Sequence, residues 1–283
     1  MSQKHIPVLL DAVMHELGDL CGHVVLDATF GAGGYTRAFL NAGAKVVAFD
    51  RDPNVVPDAN ELKKEFGDRF RFIAKPFSAM AELDEKFDAI VFDLGISSMQ
   101  IDIPERGFSF RSDAPLDMRM SGTGFTAADL ILQLSEADLA KILRDYGDVK
   151  KANILARAIK ENQPKTTFEL RDLIYNPRDI APVFQALRIA VNDEFGELQH
   201  ALTAVPNLLN TGGKCLVVTF HSIEDRIVKN IFRDWTTTPG NPRLPVAANT
   251  PFSIIRAVVP DDTELKNNPR ARSAHMRGVQ KSY

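Results

Sequence analysis

Short apolar, β-branched runs alternate with amphipathic helical stretches through the first hundred residues. The runs are Val24 to Phe30, Lys45 to Asp50, Phe70 to Lys75 and Asp88 to Gly95, each bounded by Gly, Pro or charge. Such alternation predicts strands of a parallel sheet joined by crossover helices. It stops near Ser97. From there to Pro182 the pattern predicts only loops and helices, with apolar residues at helical spacing in Leu130, Ile131 and Leu134 and again in Leu139, Ile142 and Leu143. Ser135 with Asp138, and Thr166 with Glu169, stand where capping pairs start helices. One long helix from about Val183 to Leu209 leads back to a strand at Lys214 to Phe220. A helix capped by Ser222 follows, with Ile223, Ile227 and Ile231 along one face, and then a strand at Ile254 to Val259. The prediction is an α/β domain over 1–103 and 195–283, interrupted by a helical insertion over 104–194.

Hydrophobic residues make up 45% of the 283 and charged residues 25%, enough apolar side chain for two ordinary cores. No run approaches the roughly 18 apolar residues of a membrane span, so the reading is a soluble, unexported, cytoplasmic protein. Cys21 and Cys215 stand apart without metal-ligand spacing, which argues against a disulfide framework or a zinc site. The net charge of −3 means that any nucleic-acid contact must come from local clusters. One candidate is the C-terminal stretch, where Lys266, Arg270, Arg272, Arg277 and Lys281 follow Glu264; the alternative is a solvated tail.

The segment Asp27-Ala-Thr-Phe-Gly31-Ala-Gly33-Gly34 links the first strand to a helix, and its glycines let backbone approach a ligand at the carboxyl end of the sheet. Asp50 ends the next strand, near the spacing at which an acid takes ribose hydroxyls. Thr36 stands where a dinucleotide fingerprint wants its third Gly, which disfavours a nicotinamide cofactor. Asp27 beside the loop would repel a pyrophosphate and attract the cationic end of S-adenosylmethionine.

The stretch from Asp93 to Gln100 leaves the fourth strand at the same edge, followed by ERGFSF at 105–110 and PLDMRM at 115–120, neither with a helical or strand period. Together with HIPVLLDAV at 5–13, DATFGAGG at 27–34, AFDRDP at 48–53, FDLGISSMQID at 92–102, FQALRIAVNDE at 184–194, TFHSIEDRIVK at 219–229 and NPRARSA at 268–274, they resemble the bacterial 16S rRNA cytosine-N4 methyltransferase family over nearly the whole chain. The resemblance implies a class I S-adenosylmethionine-dependent methyltransferase, a Rossmann-like, mostly parallel sheet carrying an all-helical domain that recognises RNA. It implies transfer of methyl, without a metal, to N4 of a decoding-centre cytidine (position 1402 in customary rRNA numbering), with 16S rRNA in the small subunit or a late assembly intermediate as partner. A homodimer stays open. The family's cofactor contacts fall on Gly33, Gly34, Tyr35, Asp50, Phe77, Asp93 and Gln100, beside the Asp27 and Gly31 of the loop. Tyr35 replaces a usual His, Asp179 to Val183 replaces a frequent Thr-Arg-Thr run, and Gly147-Asp148-Val149 replaces Gly-Glu-Glu.

A cytosine amine has a delocalised lone pair, so an acceptor for one of its hydrogens would favour the reactive form. Asp93 is the first candidate and His221 the second, each with an alternative as a cofactor contact or a strand-end histidine. Phe108 and Phe110 are either stacking faces for an extruded base or core. Arg106, Arg111, Arg119 and Arg188 either meet phosphates, with Arg270 and Arg272, or pair with Asp102, Asp113 or Asp117. Competing readings are a methyltransferase for another substrate, which would need no basic rim, and a nonenzymatic ribosome-assembly factor, which would not need the intact loop.

Overall fold

A computed structural model describes residues 7–237 and 250–283; positions 5 and 6 of the first motif lie outside them. The chain divides into two compact units, Met1–Gly95 with Glu197–Tyr283, and Ile96–Gly196.

In the first unit, α1 (Leu10–Leu17), β1 (Val24–Asp27), α2 (Gly34–Asn41), β2 (Lys45–Phe49), α3 (Val56–Phe66), β3 (Phe70–Ile73) and β4 (Phe87–Asp93) succeed one another. β4 and β1 are apolar almost throughout because both faces of a parallel sheet are covered. The second unit begins just after β4. It holds α4 (Ser98–Asp102), α5 (Ala127–Gln133), α6 (Glu136–Gly147), α7 (Ala152–Asn162), α8 (Thr167–Asp172) and α9 (Ile180–Asn192). The chain returns through α10 (Glu194–Leu208) to β5 (Leu209–Thr219), α11 (Ser222–Thr236), β6 (Phe252–Val258), α12 (Asp262–Asn267) and β7 (His275–Lys281).

The seven strands form one sheet in the order β3-β2-β1-β4-β5-β7-β6. β3, β2, β1, β4 and β5 are parallel, and β7 is antiparallel to both its neighbours. This is the Rossmann-like, mostly parallel sheet that the resemblance implies. Strand order reverses between β1 and β4, so their carboxyl ends flank the crevice where such sheets bind ligands. Leu26, Phe49, Ile90, Phe92, Leu202 and Val217 are among its core residues.

The helical unit has its own core, including Leu116, Ile131, Leu139, Leu143, Ile159, Leu170 and Leu187. Its helices start where the sequence signals them. Ser135 accepts the Asp138 amide and Thr166 the Glu169 amide, while Thr126 and Asp129 add a full capping box to α5.

Four expectations change. The single helix from Val183 to Leu209 is two helices, broken at Asp193, whose left-handed conformation (φ 47°) ends α9; Asp is among the few residues that tolerate it. The first strand ends at Asp27 instead of Phe30, where the backbone turns into the glycine loop. Ser222 is the first residue inside α11, and the His221 side chain makes the cap. The C-terminal stretch is no solvated tail: β7 inserts between β5 and β6, burying Met276, Gly278 and Val279. Among the described residues no helix is long and apolar enough to cross a membrane.

Candidate active site

β1 ends at Asp27, which is 1% exposed. Its Oδ1 accepts the Thr29 amide at 3.1 Å and its Oδ2 the Thr36 hydroxyl at 2.6 Å. Burial raises the carboxyl to about 6, the two threonines oppose the rise, and the charge of Asp50 adds to it. Thr36 is therefore no mere gap in a dinucleotide motif. Its fully buried hydroxyl ties the first turn of α2 to the strand-end acid.

The loop between them closes around glycine. Gly33 has φ 74°, and a side chain there would collide with Leu62 and Phe30. Gly31 donates its amide to Asp50 Oδ2 at 2.8 Å, and Asp52 donates its own to Oδ1 at 2.9 Å. Each carboxylate oxygen of Asp50 keeps a second lone pair, so the acid can still take ribose hydroxyls. Burial raises its carboxyl as well. Tyr35 faces the core: its phenol donates to the Val8 carbonyl and its ring packs against Phe39. Burial holds its proton tightly, so a contact to ligand from this residue falls to its backbone. Phe77, half-buried after β3, stands edge-on to Phe92 at 5.7 Å.

Across the strand-order reversal, β4 ends at Asp93. Its amide donates to Thr29 Oγ1 at 2.7 Å, so one threonine links the two strand ends. The carboxylate differs from that of Asp27: its Oδ1 is enclosed and meets no hydrogen-bond partner among the described residues. Burial first, then the charges of Asp27 and Glu224, push this carboxyl well above the usual range. A buried acceptor without a donor is costly, by about 1–3 kcal/mol, and marks a site that a ligand completes.

Glu224, which sequence reasoning missed, is 2% exposed. It accepts the Phe220 amide at 2.9 Å and stands 2.8 Å from His221 Nε2. His221 Nδ1 accepts the Glu224 amide at 3.4 Å. Both ring nitrogens thus face the helix cap. Gln100 belongs to the helical unit, where its carboxamide accepts the Ser97 amide and completes the box that starts α4.

Among the arginines of the helical unit, Arg119 takes the second of the two expected roles, pairing with Asp117. Arg106 donates to the carbonyls of Arg119 and Met120 and lies over the Phe108 ring. Arg119 grips Asp117 through two bonds of 2.8 and 2.7 Å. Arg188 grips Glu194 at 2.7 and 3.0 Å rather than any of the three acids expected. Arg111 is exposed. Phe108 is buried in the helical core and Phe110 packs on Phe184 at 5.4 Å, so Phe108 offers no open stacking face. Asn192, also unforeseen, bridges the Met120 amide and the Met118 carbonyl. In the first unit, Arg277 pairs with Asp225, Lys281 holds the carbonyls of Pro206 and Leu209, and Arg270 and Arg272 are exposed on the turn before β7.

The donor set at the sheet edge suits an adenosine ligand with a cationic group. Asp50 offers a carboxylate for hydroxyls, Gly33 a close backbone, and Asp27 and Asp93 buried carboxyls that a cation would ionise and a pyrophosphate would oppose. The model of the MraW methylase family matches residues 2–282. A ribosomal RNA small subunit methyltransferase H from Mesorhizobium japonicum is 46% identical, covering 98% of this chain and 87% of its own. One from Bartonella quintana is 45% identical, covering 98% and 89%. Among solved structures, an rRNA methylase from Streptococcus thermophilus aligns over 100% of both chains at 12% identity, with a TM-score of 0.46. The chain belongs to the MraW methylase family, and its cofactor is S-adenosylmethionine.

Proposed function

We propose that this protein methylates the exocyclic N4 amine of a decoding-centre cytidine in small-subunit ribosomal RNA. Relatives at 44–46% identity carry the name ribosomal RNA small subunit methyltransferase H, which supports the RNA substrate. The choice of an amine rests on one observation, the enclosed Asp93 Oδ1 at the end of β4. An unpartnered carboxylate oxygen there is the complement of an N–H group.

In this reading the sulfonium supplies an electrophilic methyl for in-line displacement, and the chain's task is to position and polarise the acceptor. Asp93 accepts one N4 hydrogen, which draws the lone pair out of conjugation and stabilises the positive charge that grows on nitrogen. A cation seated beside Asp27 and Asp93 offsets the burial that raises both carboxyls and favours their ionised forms. Asp27 faces that cation, Asp50 takes the ribose hydroxyls, the Gly33 and Gly34 backbone takes the methionine end, and Phe77 flanks the adenine. The helical unit recognises RNA, with Arg111 as its exposed arginine among those the sequence singled out.

The test is transfer of radiolabelled methyl to small ribosomal subunits that lack the modification, with nuclease digestion and mass spectrometry to place the label. Label on N4 of the decoding-centre cytidine is expected. Label on a ring carbon or a ribose would overturn the role of Asp93, and no label on subunits, free rRNA or assembly intermediates would overturn the substrate.

A further inference from the structure

If the substrate is RNA, its phosphates need cations, and several arginines of the helical unit are occupied at home: Arg106 by carbonyls, Arg119 by Asp117, Arg188 by Glu194. The methyltransferase unit offers a different supply. α11 begins at the carboxyl edge of β5, the edge that carries Asp93 on neighbouring β4. It buries Ile223, Val228 and Phe232 and exposes Arg226, Lys229 and Arg233, which recur at i, i+3 and i+7 and so share a face.

β7 and the turn before it bring further donors to that side. Because it runs antiparallel to β5, its first residue, His275, pairs with Thr219 at the same carboxyl edge. The turn of residues 269–273 leading into it is anchored by Ala271, fully buried, and leaves Arg272 exposed. The nearby acid is outnumbered. Asp225 is bound through both oxygens by Arg277, at 2.5 and 2.7 Å. Burial acts to raise its carboxyl, but Arg277, then His275 and Lys229, outweigh it and hold it low. Those groups therefore lie close enough to share one field. Arg226, Lys229 and Arg272 make no ion pair among the described residues.

We propose that the rim formed by Arg226 and Lys229 of α11 with Arg272 and His275 at the start of β7 is a docking surface for the phosphodiester backbone of RNA, on the methyltransferase unit itself. The proposal rests on the RNA substrate argued above. Its occupant is set by charge: cations clustered at one edge, on a chain whose net charge is −3, select a polyanion. The rim contributes register and affinity without reading sequence.

The test compares the whole protein with its Arg226→Gln/Lys229→Gln variant, scoring affinity for a fluorescent single-stranded uridine oligonucleotide and for unmodified small subunits across a salt series. The variant should lose about 0.7 of log–log salt slope per contact removed. The KM for subunits should rise several-fold at physiological salt with kcat and cofactor affinity unchanged, while Arg226→Lys/Lys229→Arg keeps the wild-type slope. An unchanged slope and KM in the Gln variant, with its melting temperature intact, would overturn the rim. The oligonucleotide arm separates the two readings. Should wild type methylate no ribosomal RNA, the substrate assignment fails, but loss of slope on the oligonucleotide still upholds the rim.

Discussion

Two buried aspartates end adjacent strands of the same sheet, and their surroundings are unlike. Asp27 is satisfied from within: Thr29 and Thr36 fill both its oxygens, and its carboxyl settles near 6. Asp93 has an enclosed oxygen that no described residue meets, and burial pushes its carboxyl well above the usual range. A fold that can place Thr36 against one strand-end acid can satisfy an acid at this edge. Leaving the other without a donor is a cost to stability that only a bound group removes.

The largest effect expected from breaking this difference is at Asp93. Asp93→Asn keeps the shape and replaces the acceptor carboxylate, so methyl transfer should fall about 10²- to 10⁴-fold. Unfolding free energy should not fall, because burial already disfavours the charged carboxyl and its enclosed Oδ1 has no donor among the described residues to lose. Normal turnover with a loss of stability would reverse the comparison and make Asp93 structural.

Thr36→Val makes Asp27 resemble Asp93. Loss of a charge-assisted bond to a buried carboxylate should cost about 1.5–3 kcal/mol in urea unfolding and raise the Asp27 carboxyl further, weakening cofactor binding at pH 7. A neutral outcome would mean that the 2.6 Å bond contributes nothing and that the two aspartates are equivalent.

Next in size is pH. Because burial lifts the folded carboxyl of Asp27 to about 6, above its unfolded value, the folded state holds the proton more tightly. The stability from this group is present below about 4 and is lost as pH rises through about 6. Binding of a cation runs the other way. It needs the carboxylate, so cofactor affinity should fall up to tenfold per unit as pH drops below about 6, a dependence that Asp27→Asn flattens in calorimetric titrations. An affinity independent of pH in wild type would remove Asp27 from the cationic end.

Much of this edge was legible in the sequence and some of it was not. Five strands of the parallel core stand out because each contains a short apolar run, nearly all buried in β1, β2 and β4, and Ser135 and Thr166 announce their helices through local caps. β7 was hidden because its outward positions carry His275, Arg277 and Lys281, so its charge outweighs the buried Met276 and Val279; its strand character comes from pairing with β5, some sixty residues away. Asp93 could be singled out from its place after a strand, but its missing partner could not, since hydrogen bonding is a property of packing. The bond from Thr36 to Asp27 was hidden for the same reason, although the departure from the dinucleotide motif was itself legible. For the arginines at 106, 119 and 188 the choice between phosphates and acid partners stayed open, because sequence shows charge and not the carbonyls and carboxylates that absorb it.

The smallest effect is expected at His221, and it sharpens the choice of Asp93 by elimination. A base must present a lone pair to its proton. In the neutral imidazole that pair sits on the nitrogen without hydrogen. Here Nδ1 points its pair at the Glu224 amide, while Nε2 lies 2.8 Å from the Glu224 carboxylate. The ring is thus a helix cap held by Glu224, with its acceptor turned to backbone. His221→Ala should cost about 1 kcal/mol of stability, the usual worth of a cap, with turnover preserved within a few-fold. His221→Ser, which can accept the same amide, should recover the stability. A thousandfold loss of turnover in the Ser variant would move the proton-accepting role from Asp93 to His221, and the contrast between the two aspartates would then describe cofactor binding only.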